Sequence, residues 1–127
     1  MRLWHQDIIE LLPRQQLLGQ HRECCALRGN GWGRKHETVD YVFRYSPYRL
    51  FAYHQLVMEE MMERGYRVAI ARALVAEYRG MKCPRYDTLN PVDLETPIYP
   101  EHNQDYLQEC LWNLKAKGID LPINKIK

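Results

Sequence analysis

Ser46-Pro47-Tyr-Arg-Leu50-Phe-Ala-Tyr-His54-Gln-Leu-Val57-Met58-Glu-Glu-Met61-Met-Glu-Arg-Gly65 reads as one helix with both ends marked. Serine before proline pairs an N-cap hydroxyl with a residue whose missing N–H and fixed φ suit the first turn. Leu50, His54, Val57, Met58 and Met61 recur at helical spacing and form one inward stripe, and Gly65 supplies the stop. The Met58-to-Met62 stretch is then core plus a solvated acidic face. His54 is expected as a partly buried helix residue. Ser46, the only serine in the chain, is better explained as a cap than as a nucleophile.

Upstream, Asp7 is placed to cap a short apolar segment, Ile8 to Leu12, and Pro13 suits the first position of a new helix running to about Leu27. Leu17, Leu18, His21, Cys24, Cys25 and Arg28 recur on one face of it, and Gly29 ends it. Glu23 falls on a different surface, shared with Gln16 and Gly19, where the small glycine leaves room beside the carboxylate. Gly29-Asn-Gly-Trp-Gly-Arg-Lys-His36 has glycines at alternate positions, which disfavours regular structure and permits close backbone approach to a ligand.

Downstream, Arg67 to Tyr78 is predicted as a helix. So is Glu101 to Lys117, with Tyr106, Cys110, Leu111 and Leu114 inward and Gly118 as its terminal signal. Between these two, Pro84, Pro91, Pro97 and Pro100 break any regular pattern. The expected fold is therefore all-α: a single compact domain over residues 1–127, of several helices, with a long proline-containing loop before the last one.

Composition narrows the class. No stretch approaches the roughly 20 apolar residues of a membrane helix, and Met-Arg-Leu-Trp-His-Gln-Asp lacks a secretory apolar core, so a cytoplasmic protein is expected. Cys24, Cys25, Cys83 and Cys110 match no paired zinc spacing and are expected as free thiols. Charge is uneven. Residues 1 to 54 carry eight Lys and Arg against five Asp and Glu, whereas the remainder carries ten against eleven. A basic surface near the chain start suits a phosphate-bearing partner.

Within that basic quarter, a carboxylate weakens attraction for phosphate. Glu23, beside Arg22 and before Arg34-Lys35-His36, is therefore a candidate for proton transfer or for stabilising a positive intermediate, against the plainer reading of a solvated helix charge. Arg34, Lys35 and the loop amides are candidates for phosphate contacts, with Asn30 as a further polar group. Trp32 either stacks beside a base or closes the core. The loop lacks the Walker pattern G-x-x-x-x-G-K-[ST]. His5, His21, Glu23 and His36 follow no known metal spacing, and no metal or cofactor is expected.

The run Gln16-Leu-Leu-Gly-Gln-His-Arg22-Glu23, then Gly29 and Arg34-Lys35-His36, resembles the pyrimidine-dimer DNA glycosylases of the phage and bacterial endonuclease V type. The similarity continues from Tyr53 to Arg67, through Tyr78-Arg79-Gly80, and into the last helix. The resemblance implies an all-helical fold and a nucleophile that is the protein's own α-amino group. That amine, here on Met1, attacks the sugar C1′ of the dimer's 5′ nucleotide, and β-elimination from the resulting imine cuts the strand. Carried over, Glu23 stabilises the cationic sugar or imine, while Arg2, Arg22, Arg34, Lys35 and His36 bind phosphates. The implied partner is double-stranded DNA with damaged or abasic sites, and the implied state is a monomer.

Three departures from the family pattern stand in the sequence. Bulky Arg2 is expected to keep Met1 in place. Ala26 occupies the position of a family arginine, with Arg28 as the nearby substitute. Ile119 to Lys127 contains no aromatic residue. Two other readings remain open at this point: a noncatalytic DNA-binding module, and a small helical interaction protein.

Overall fold

In the computed structural model, residues 1–85 and 97–122 are described. They form three α-helices, α1 (Arg14–Arg28), α2 (Pro47–Glu63) and α3 (Gln104–Ala116). Three 3₁₀ turns, Gln6–Leu11, Asp40–Arg44 and Ala71–Leu74, complete the regular structure, and no strand occurs among the described residues. The all-α expectation is met. None of these helices is long and apolar enough to cross a membrane. Pro91 and residues 123–127, part of the sequence reading, lie outside the described residues.

Helix α2 follows its sequence markers closely. The Ser46 hydroxyl accepts from the Tyr48 amide at 3.1 Å, Pro47 opens the helix, and all five residues of the predicted stripe are buried. His54, expected partly buried, is fully so. The chain leaves α2 through Gly65 at φ +87°, left-handed backbone that glycine adopts without a Cβ clash. Arg64 then fastens this end to the first 3₁₀ turn, donating to the carbonyls of Leu12 at 2.8 Å and Glu10 at 3.0 Å.

Helix α1 is the direct packing partner of α2, and the turn Gln6–Leu11 also lies on α2. Pro13 stands one place earlier than expected, at the cap, with its carbonyl accepting from Leu17. The expected inward face of α1 is buried except for half-exposed Leu18. Gln20 and Leu27 join it. The first turn is capped by His5, whose Nδ1 accepts from the Asp7 amide at 3.1 Å, and not by Asp7 itself.

Two boundaries differ for tertiary reasons. Only Ala71–Leu74 of the predicted Arg67–Tyr78 helix is helical, as a single 3₁₀ turn. The guanidinium of Arg28, reaching over from α1, takes the carbonyls of Ala73 and Val75, both at 2.6 Å. Those oxygens are the acceptors a continuing helix needs for its own amides. Helix α3 starts at Gln104, where the Asn103 side chain accepts from the Tyr106 amide. Glu101 stays outside it, bonded to Tyr45 at 2.9 Å.

Candidate active site at the chain start

The first four residues have no regular structure, and one side chain of α1 fixes them. Gln20 is 1 % exposed. Its Oε1 accepts from the Trp4 amide at 2.7 Å and its Nε2 donates to the Arg2 carbonyl at 3.0 Å. The same Nε2 donates to Glu23 Oε2 at 3.0 Å, one turn along the helix. A buried amide must find partners for its oxygen and both protons. Here that requirement ties the chain start and the carboxylate to a single residue. Tyr53 of α2 reinforces it, its hydroxyl facing the Trp4 carbonyl and Gln20 Oε1.

The terminal nitrogen is held by the glycine loop. Met1 N lies 3.3 Å from Nε2 of His36. Thr38 donates its hydroxyl proton to the Met1 carbonyl and lies 2.9 Å from His36 Nδ1. His36 itself is anchored by its backbone amide, which donates to Asp40 Oδ1 at 2.8 Å.

Glu23 is half-buried beside this pair. Burial raises its carboxyl pKa above the ordinary value, because a carboxylate loses hydration there. The Met1 ammonium, the Arg2 backbone amide, Arg22 and His36 oppose that rise. The result is a carboxyl group among positive charges whose proton is retained more readily than on the surface. Such a group is suited to exchanging a proton with a reacting centre.

The other sequence-predicted residues separate into two sets. The side chains of Arg22, Arg34 and Lys35 are exposed and form no hydrogen bond or ion pair with the described residues. Arg2 is turned to α3, paired with Glu109 at 2.5 Å over the Tyr106 ring. Asn30 is exposed but its Oδ1 accepts from the Met81 amide at 2.9 Å. Trp32 is half-buried with its ring edge-on to Phe43, 5.0 Å between centroids. Close approach in the loop is internal: a Cβ on Gly31 would stand 2.7 Å from the Ala26 carbonyl oxygen. Likewise, the atom closest to a Cβ on Gly19 belongs to Arg22 and not to Glu23.

Arg28, placed by sequence among the DNA contacts, is an interior residue, 0 % exposed. Besides the Ala73 and Val75 carbonyls it donates to His54 Nδ1 at 2.9 Å, and it lies over the rings of Phe51 and Tyr78. A guanidinium only donates, so His54 carries its proton on Nε2 and passes it toward His21 Nδ1 at 2.8 Å. Burial and the nearby cation push the His54 pKa down to about 2. Cys25 Sγ stands 3.9 Å from His54 Nε2 and from both His21 nitrogens. Of the four residues weighed as metal ligands, His21 enters this cluster with Cys25 and His54, whereas His36 and Glu23 face the amine.

The sequence model of the pyrimidine dimer DNA glycosylases matches residues 1–74, more than half of the chain. The chain belongs to that family. No curated protein and no solved structure matches it. Family membership assigns it to DNA repair, with DNA as the substrate. The matched segment contains Met1, Gln20, Glu23, the loop to His36 and all of α2. Tyr78-Arg79-Gly80 and α3, which the resemblance also included, lie beyond it.

Gln20 and Thr38 are the residues to which sequence reasoning gave no role, and for Thr38 the sequence offers no signal. The one signal for Gln20 is an amide three positions before Glu23, on a helix face that is otherwise mostly apolar.

Proposed function

We propose that this chain is a DNA glycosylase with apurinic/apyrimidinic lyase activity, acting on pyrimidine dimers in double-stranded DNA through an imine formed by the Met1 α-amine. The observation that carries this reading is the joint tethering of the chain start and Glu23 by Gln20. A nucleophile and a carboxyl group are thereby held in one place before substrate arrives, which removes much of the orientational cost of reaction.

In the proposed reaction the amine attacks C1′ of the dimer's 5′ nucleotide as the glycosidic bond breaks. Glu23 stabilises the positive sugar or imine and moves protons during β-elimination. Arg22, Arg34 and Lys35 line the approach as phosphate contacts. The steps need no metal or organic cofactor. We place the enzyme in the cytoplasm and as a monomer.

Strand cleavage on dimer-containing and abasic duplexes tests this. Cleavage of both is expected, with Glu23→Gln binding DNA but not cutting it. Binding without cleavage by the unaltered protein would instead identify a noncatalytic module.

A further inference from the structure

A nucleophilic amine must first lose a proton, and the structure places an acceptor for it. We infer that His36 is the general base that deprotonates the Met1 α-amine. This inference rests on the imine reading above.

The Thr38 hydroxyl has one proton, and it is given to the Met1 carbonyl. Thr38 Oγ1 therefore accepts in its contact with His36 Nδ1, so Nδ1 carries the ring proton. Nε2 is left as a lone pair, and it is the nitrogen that stands 3.3 Å from Met1 N. In its neutral form the ring faces the ammonium with its basic nitrogen, in the tautomer set by its second hydrogen bond. A phosphate contact, the role suggested by the Arg-Lys-His run, needs a donor. The neutral ring has only the one already engaged by Thr38.

The surroundings supply the means to act reversibly. The groups facing this pair are the Met1 amine, the Glu23 carboxyl, and Asp40, whose carboxylate accepts from the His36 backbone amide. Arg34, Lys35 and Glu37 are its exposed chain neighbours.

At an abasic site C1′ is an aldehyde carbon. The ammonium N–H bond breaks, its proton forms the Nε2–H bond, and the freed lone pair bonds to C1′. A proton shift from nitrogen to oxygen gives the carbinolamine. The imidazolium then returns its proton to the hydroxyl, which leaves as water, and the nitrogen lone pair closes the C=N bond of the iminium. Protons and charge balance without another reagent.

The test is the rate of borohydride trapping on abasic-site DNA, measured against pH for the unaltered protein and for His36→Ala and Thr38→Val. His36 is exposed, so its truncation leaves the core untouched. His36→Ala is expected to slow trapping about 100-fold near neutral pH, the usual scale of general-base catalysis. The deficit should shrink above about pH 9, where α-amines are deprotonated by solvent. Added imidazole should restore part of the rate, and Thr38→Val should give a smaller loss of the same pH shape. DNA affinity and its salt dependence should stay unchanged. An alanine variant that traps at the normal rate at every pH, or loses rate by a constant factor together with affinity, overturns the inference and leaves the imine reading intact. Absence of trapping by the unaltered protein overturns the imine reading itself.

Discussion

Gln20 Nε2 donates to Glu23 Oε2 at 3.0 Å while holding the Arg2 carbonyl at the same distance. Position along α1 and position of the chain start are therefore not independent. Replacing Gln20 with Met keeps the volume but strands the Trp4 amide and the Arg2 carbonyl. We expect a stability loss of about 2 to 4 kcal/mol by denaturant unfolding, from buried groups left without partners. Trapping of abasic DNA should fall at least tenfold under conditions where the variant is folded. Normal trapping would show that the tether is dispensable.

Glu23→Gln should separate stability from activity. The folded-state pKa of Glu23 is raised, so its ionised form destabilises the fold as pH rises through that value. Glutamine keeps an oxygen for the Gln20 and Arg2 donors and removes the buried charge. At pH 7 the variant should melt at or above the temperature of the unaltered protein. This advantage should shrink on acidification as the carboxylate takes up its proton. Cleavage should be lost throughout, and calorimetry with a cleavage assay checks both.

Arg28 and the exposed cations should behave oppositely. Arg28→Met leaves the Ala73 carbonyl without its donor and the Val75 carbonyl with the Tyr78 amide alone, and is expected to cost about 3 kcal/mol or more. Its DNA affinity, while folded, should keep the normal salt slope. Removing Arg22, Arg34 or Lys35 should leave stability within about 0.5 kcal/mol. Each should lower the slope of log affinity against log salt by about 1. Fluorescence anisotropy over a salt series distinguishes the two behaviours.

How far the sequence reaches is visible in these same residues. Helix α2 was legible because capping, stripe and stop are all local. The Arg67–Tyr78 prediction failed because the decisive partner, Arg28, comes from another helix and captures the carbonyls a helix would use. Spacing set Arg28 on the inward face while the family resemblance made it a DNA contact, and neither says that carbonyls and two aromatic rings await it inside. Met1 and Glu23 were legible as a pair only through family resemblance, which gave His36 a phosphate contact instead. Their meeting depends on Gln20 and Thr38, whose roles arise from contacts 18 and 37 residues apart in sequence.

Acid should unfold this protein early. His54 is held neutral with its pKa pushed down to about 2, and His102, buried among Tyr41, Tyr99 and Tyr106, to about 3. Both folded values lie below the ordinary histidine value, so the unfolded chain binds protons that the folded one refuses. Stability from these groups is complete above about pH 6.5 and is lost as pH falls toward the folded values. The loss should reach up to about 1.4 kcal/mol per pH unit for each histidine. Urea midpoints between pH 7 and 5 measure it, and a flat profile would show that neither ring is held neutral.

Mapping the borohydride-reduced adduct shows whether the Met1 α-nitrogen is the nucleophile. The protein is trapped on abasic-site DNA, digested, and the modified peptide located by mass spectrometry. The sugar remnant is expected on the α-nitrogen of the peptide beginning Met1-Arg2, with no adduct when that amine is acetylated beforehand. An adduct on Lys35 or another side-chain amine, or none at all, would rule out the α-amine as nucleophile.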